Sequence, residues 1–207
     1  MTETSEHPQI YLISPRTVDL SQFPNALAQA LDVTDVACFR LALSSTDDDR
    51  ISRVADATRA ICHERDIPIV IEHHLLLVER LGLDGVHLTD AARSVRATRT
   101  ALGADAIVGS FCNVSRHDGM TAGESGADYV SFGPCGASAL GDGSQAEPEL
   151  FQWWSEMIEV PVVAEGALDT NLIRNLAPMT DFFGLGDEIW REDNPAETLK
   201  AFSSEMR

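Results

Sequence analysis

Residues 69–109, IVIEHHLLLVERLGLDGVHLTDAARSVRATRTALGADAIVG, decide the fold. Three short runs, 69–71, 85–88 and 107–109, are nearly all apolar. Runs this short read as strands buried on both faces, as in a parallel sheet. Between them apolar side chains recur at helical spacing: Leu75, Val78 and Leu81 before Gly82, then Val95, Thr98 and Leu102 before Gly103. Three- and four-residue steps put those side chains on one helix face. The stretch reads strand, helix, strand, helix, strand.

The alternation extends in both directions. Upstream lie the runs 10–13 and 37–41; downstream lie 129–132, 162–164 and 182–185. Helical spacing returns in Ile51, Val54, Ala55, Thr58, Ile61 and Cys62, in Leu150, Trp153, Trp154 and Met157, and in Leu199 and Phe202. Thr46-Asp47 precedes the second helix, and Pro148-Glu149 and Pro195 open later ones. Eight strands and about eight helices in 207 residues predict a parallel α/β fold. The count of eight, without a GxGxxG turn after the first strand, favours one closed (β/α)8 TIM barrel spanning residues 1–207. The alternative is a doubly wound sheet, and pairing of strand eight with strand one separates the two.

Composition narrows the partners. With 33 acidic and 15 basic residues the formal charge is −18, which argues against nucleic acid and anionic lipid surfaces. A 44% hydrophobic chain is not disordered, and no run approaches the ~18 apolar residues of a membrane span. The leading MTETSEHPQ is polar and acidic, the opposite of a secretory signal. Cys38, Cys62, Cys112 and Cys135 form no CxxC pair and read as reduced, buried thiols, so a cytoplasmic protein is expected. All but one of the 15 basic residues are arginine; the exception is Lys200.

In a barrel, function sits on the loops after the strands' C-terminal ends. That singles out Arg40, Glu72-His73-His74, His87, Asn113, residues 133–147, Glu165-Gly166 and residues 186–188. The Gly- and Ser-rich GPCGASALGDGSQAE at 133–147 reads as a lid or binding loop. His87 is either a packed, barrel-lining histidine or a catalytic group. Adjacent strand residues face opposite sides, so only part of Glu72-His73-His74 can face a site. Glu72 or His73 meeting His87 and Glu165 would suit a transition metal; the alternative is a solvated polar loop. Asp47-Asp48-Asp49 complements a helix dipole, and Trp153-Trp154 pack a helix onto the barrel or onto a partner subunit.

Four motifs, IYLIS (10–14), DGVHL (84–88), GADYVSFGP (126–134) and PVVAEGAL (161–168), in this order and spacing, resemble thiamine-phosphate synthases and the related thiazole tautomerases. The resemblance implies a TIM barrel, usually dimeric, that uses Mg2+ to join an aminopyrimidine-methyl pyrophosphate to a thiazole phosphate. Metal and Lys/Arg cations then face the departing pyrophosphate. By position it implies Arg40 and His87 as catalytic residues. Arg40, Asn113, Gly133, Gly166, Gly184 and Gly186 would contact substrate.

The departures fall where that chemistry lives. The family's Gln-x-Arg-x-Lys is CFRLA here, keeping Arg40 but placing Ala42 at the lysine. Its Asn-Asp is Glu72-His73, and its Gly-Gln-x-Asp is Thr89-Asp90-Ala91-Ala92. Its Thr-x-Thr-Lys is ASALG, and no shift of register restores a lysine when Lys200 is the only one. The phosphate-binding Gly-Gly is Gly166-Ala167 behind Glu165, and GLGDEIW keeps Gly184 and Gly186 but adds Asp187 and Glu188. A carboxylate about 4 Å from a phosphate costs roughly 1–4 kcal/mol. The tautomerase histidine is replaced by Asn113, with His117 four residues on.

The family's Mg2+ is therefore expected to be lost, with Glu72 and His73 the remaining candidate ligands for any metal. The expected function is a divergent thiamine-phosphate synthase-like transferase acting on a small, possibly phosphorylated heterocycle as a homodimer. The alternative is a non-catalytic barrel of the same family that binds a ligand or another subunit. Arg40, the retained cation, predicts weak binding of phosphate or sulfate and poor binding of pyrophosphate.

Overall fold

A computed structural model describes residues 7–207; the first six residues of the polar MTETSEHPQ segment lie outside the described residues. Eight strands alternate with helices: β1 Gln9–Ile13, α1 Phe23–Leu31, β2 Val36–Leu41, α2 Asp48–His63, β3 Ile69–Glu72, α3 Leu75–Leu81, β4 Gly85–Leu88 and α4 Val95–Leu102. The second half comprises β5 Ile107–Phe111, α5 Arg116–Glu124, β6 Tyr129–Phe132, α6 Pro148–Met157, β7 Val162–Glu165, α7 Thr170–Leu176, β8 Phe182–Leu185, α8 Asp187–Trp190 and α9 Pro195–Ser204. The strands follow chain order around a closed parallel barrel. β8 pairs with β1 from Gln9 opposite Phe182 to Leu12 opposite Leu185, which excludes an open doubly wound sheet.

Two strands run beyond their apolar cores onto a charged residue. β3 ends on Glu72, opposite His87, and β7 ends on Glu165, opposite Gly184. The ladder is made by backbone groups, so a polar side chain does not end it. These extra residues carry charge into the barrel mouth.

Alternation within each strand divides the core in two. One set of side chains, including Leu12, Phe39, Ile69, Ile71, Phe132 and Phe183, packs outward against the helices. The other fills the barrel's centre with Tyr11, Cys38, Val70, Tyr129 and Val163. Gly109 leaves room there, since a Cβ on it would lie 2.0 Å from the Tyr129 ring. One turn of pleat further toward the C-terminal ends, the same inward rows present Arg40, Glu72, His87 and Glu165.

Helix starts follow local chemistry. Asp47 caps α2, accepting from the N–H groups of Asp49 (3.0 Å) and Arg50 (3.2 Å). Pro148 and Pro195 open α6 and α9. On α6, Trp154 is buried edge-on against Phe132 at 4.9 Å, and its Nε1 donates to the Val160 carbonyl at 2.8 Å. Trp153 lies under the Arg116 guanidinium, 4.8 Å from its ring centroid. The tryptophan pair is thus engaged within its own chain. All four cysteines are free and buried. Among the described residues no helix is long and apolar enough to cross a membrane.

Candidate functional site

The inward rows of β2, β3, β4 and β7 converge on a buried polar cluster. Arg40 sits in its middle, 3% exposed, with Glu165 and Glu72 equally enclosed. Its two terminal nitrogens face the two Glu165 oxygens, Nη1 to Oε1 at 3.3 Å and Nη2 to Oε2 as a close ion pair. Nε points toward Glu72 Oε1 at 3.7 Å, and Glu72 Oε2 pairs closely with Arg16. Burial opposes the guanidinium's charge. Glu165, then Tyr11 and Glu72, outweigh that and hold its pKa above the ordinary arginine value.

His87 completes the cluster and has no exposed surface. Arg40 Nη1 lies 2.7 Å from His87 Nε2, and a guanidinium can only donate, so Nε2 is the acceptor. The proton therefore sits on Nδ1 and is donated to the Tyr129 hydroxyl at 2.9 Å. Tyr129 is in turn hydrogen-bonded to Tyr11. Desolvation, then the neighbouring Arg40 charge, push the His87 pKa well below the usual histidine value. His87 is a neutral imidazole with both nitrogens engaged.

Above the cluster opens a cavity of about 950 Å3, walled by the loops after β1, β3, β5, β6, β7 and β8. Three of its lining residues, His73, Asn113 and Ala167, are non-glycines with φ between 51° and 63°. Such backbone costs about 1–3 kcal/mol per residue and clusters at functional sites. Residues 133–147 fold over one side of this mouth. Gly133 N–H donates to the Asn113 carbonyl, and Gly136 N–H to the Gly166 carbonyl. Gly166 has φ +92°, and a Cβ there would meet Pro134 and Leu140 at 2.9 Å. Cys112 and Cys135 lie beneath these loops; burial pushes each thiol up to about 12, so neither is a thiolate at neutral pH.

The structure brings Arg40, Glu72, His87 and Glu165 together and sets Asn113, Gly166, Gly184 and Gly186 on the cavity wall. It corrects several sequence expectations. Arg40 is not an open anion grip, because its fork is already filled by Glu165. Gly184 serves packing, since a Cβ there would meet Glu165 Cβ at 2.8 Å; Gly133 likewise lies against the Glu165 backbone. His117 is exposed on α5, outside the cavity wall. Sequence reasoning missed Tyr11 and Tyr129, which fill the barrel's centre from β1 and β6. It also missed Arg16, the half-exposed partner of Glu72.

The residues present do not fit magnesium. Mg2+ wants an octahedron of hard oxygen ligands. His73 and Ala92 stand at the expected carboxylate positions, and His73 is bonded to the Thr89 hydroxyl at 2.7 Å. The Asp90 carboxylate accepts from Ser94, and Glu72 is held by two arginines. Among the described residues no three His, Cys, Asp or Glu side chains are grouped to hold a metal.

A closed barrel with a polar cluster at its strand ends and a roomy mouth above it defines a small-molecule site of the TIM-barrel class. Comparison with known proteins identifies the lineage. A family model described as thiamine monophosphate synthase matches residues 10–180. A thiamine-phosphate synthase of Rhodospirillum centenum is 38% identical over 204 residues, covering 96% of this chain and 98% of its own. One from Erythrobacter litoralis is 36% identical over 212 residues, covering 100% and 99%. The chain belongs to the thiamine-phosphate synthase family. In fold it is similar to a thiamine phosphate pyrophosphorylase from Pyrococcus furiosus, with TM-score 0.84 at 16% identity and coverage of 96% and 95%.

Proposed function

We propose that this chain is a divergent thiamine-phosphate synthase-like enzyme that handles small heterocyclic compounds in the C-terminal cavity. End-to-end identity with relatives named for that activity carries the reading. The charge at the mouth supports a ring that bears or develops positive charge. Five carboxylates, of Glu72, Glu165, Asp187, Glu188 and Glu192, line the cavity against three arginines, Arg16, Arg40 and Arg191. Fixed negative charge in an enclosed site stabilises a cationic centre.

Within this reading Arg40 is a structural hub, and His87 positions it by accepting its Nη1 hydrogen bond. Arg16, paired with Glu72 but 53% exposed, is the cation of the cluster that reaches the ligand space, while Arg40 is buried. Asn113 and residues 137–141 of the long loop close over the bound ring. Magnesium plays no part. The protein works in the cytoplasm as a homodimer, following the family's habit.

The test is a coupling assay with aminopyrimidine-methyl pyrophosphate and either thiazole phosphate or thiazole alcohol. The expected result is a coupled product whose rate is unaffected by chelator. A rate abolished by chelator and restored by magnesium overturns the metal-free reading. Absence of product from every pairing overturns the enzymatic one.

A further inference from the structure

The buried cluster leaves one donor unsatisfied. Arg40 gives Nη1 to His87 and Glu165 and Nη2 to Glu165, but its Nε is buried with no hydrogen-bond partner among the described residues. Glu72 Oε1 faces that nitrogen at 3.7 Å, beyond hydrogen-bond length. The other oxygen, Oε2, is closely paired with Arg16 Nη1. One carboxylate thus stands between two guanidiniums and satisfies one of them.

Arg16 has a fixed base and an exposed fork. Its carbonyl accepts from the Ser44 N–H at 2.9 Å and from the Ser44 hydroxyl at 3.0 Å. Two residues earlier, the Ser14 N–H donates to the Arg40 carbonyl at 2.9 Å, and the Ser14 hydroxyl accepts from the Ala42 N–H at 2.9 Å. The loop after β1 is therefore fastened along the continuation of β2, while the Arg16 side chain lines the cavity. An anion entering the cavity can draw that fork off Glu72. A shift of about 1 Å then brings Glu72 within hydrogen-bond length of Arg40 Nε. Glu72 exchanges one guanidinium for the other, the orphaned donor gains its acceptor, and no buried charge is left unpaired.

Resting on the functional reading above, we propose that Arg16 is a substrate-binding residue, held in reserve on Glu72 and passed to a phosphate or diphosphate group of the substrate as Glu72 closes on Arg40. The other arginines of the cavity are committed. Arg40 has both terminal nitrogens on Glu165, and Arg191 is paired with Asp187. The Glu188 carboxylate is likewise engaged, accepting from the N–H groups of Leu168 at 3.1 Å and Gly186 at 2.9 Å. Arg16 is the arginine whose acidic partner has a second guanidinium waiting for it.

Calorimetric titration with inorganic phosphate and with inorganic pyrophosphate, both in chelator, tests this on the wild type, Arg16→Ala, Arg16→Lys and Glu72→Gln. The wild type is expected to bind at least one of the two anions at millimolar concentration. Arg16→Ala is expected to lose about tenfold or more of that affinity, as removal of a close opposite charge requires. Arg16→Lys, which keeps the charge but not the fork, is expected to fall between them. Glu72→Gln removes the charge that tethers Arg16 and leaves Arg40 neutralised by Glu165, so its affinity is expected to rise. Far-ultraviolet circular dichroism selects the folded variants. A wild type that binds neither anion overturns the proposal, as does unchanged affinity in folded Arg16→Ala or Arg16→Lys. Unchanged or weaker binding by folded Glu72→Gln overturns the exchange. If anion binding follows Arg16 but the coupling assay yields no product, the Arg16 assignment stands and the enzymatic reading fails. If product forms while anion binding ignores Arg16, the enzymatic reading stands and this proposal fails.

Discussion

Removing one member of a buried ion cluster leaves its partners charged and unsolvated, which costs more than the intact cluster contributes. Arg40 faces Glu165 and Glu72 with almost no solvent contact. Arg40→Met is therefore expected to lose about 3–5 kcal/mol in urea denaturation, and Arg40→Met with Glu165→Leu to recover most of it. A single variant as stable as the wild type shows the cluster to be hydrated. His87 adds a pH dependence. Its folded pKa is depressed, so its stabilising contribution is complete above the unfolded value of about 6.5 and declines as pH falls below it, by up to about 1.4 kcal/mol per unit. Denaturation midpoints at pH 7.0 and 5.5 are expected to differ more for the wild type than for His87→Gln. Equal slopes refute a neutral, buried His87.

Asp47 offers a test at the level of one helix. Its side chain satisfies two N–H groups at the start of α2, and Asp47→Ala is expected to cost about 1 kcal/mol of stability. A loss below a few tenths contradicts the cap. The fold was legible because most strands are uninterrupted apolar runs and the strongest helices carry wide apolar faces. α5 was not, because it buries only Gly119 and Ala122. Gly119 lets that helix approach the barrel, since a Cβ there would lie 2.7 Å from Phe132 and Trp154. Close approach by small residues leaves no periodic apolar signal to read. The site was legible in position and less so in role. Spacing placed Arg40, His87 and Glu165 at strand ends, but no local pattern reveals that Arg40 and Glu165, 125 residues apart, neutralise each other. Nor does it reveal that Glu188 turns back onto two backbone donors.

Charge governs the molecule as a whole. A formal charge of −18 on 207 residues makes the folded chain repel itself, and salt screens that repulsion. The melting temperature is expected to rise between about 10 mM and 500 mM sodium chloride, a range in which the screening length falls from roughly 30 Å to below 10 Å. A fall in melting temperature would mean that attractive surface pairs dominate instead. The proposed dimer is checked by sedimentation equilibrium at micromolar concentration, where a species of only 22.5 kDa excludes it.

The chain has two tyrosines, Tyr11 and Tyr129, and both stand inside the barrel, bonded to one another. Burial is the first cause that lifts both phenols well above the ordinary value of 10. The protein's entire phenolate absorbance near 295 nm is thus reserved for the unfolded chain. Alkaline titration becomes an optical record of barrel opening. The band should stay dark beyond pH 10 and then emerge in one step, together with the loss of circular dichroism. Because the unfolded phenols ionise first, each draws the equilibrium toward unfolding by up to about 1.4 kcal/mol per pH unit above 10. The same two hydroxyls that brace the centre in neutral solution set the alkaline limit of the fold.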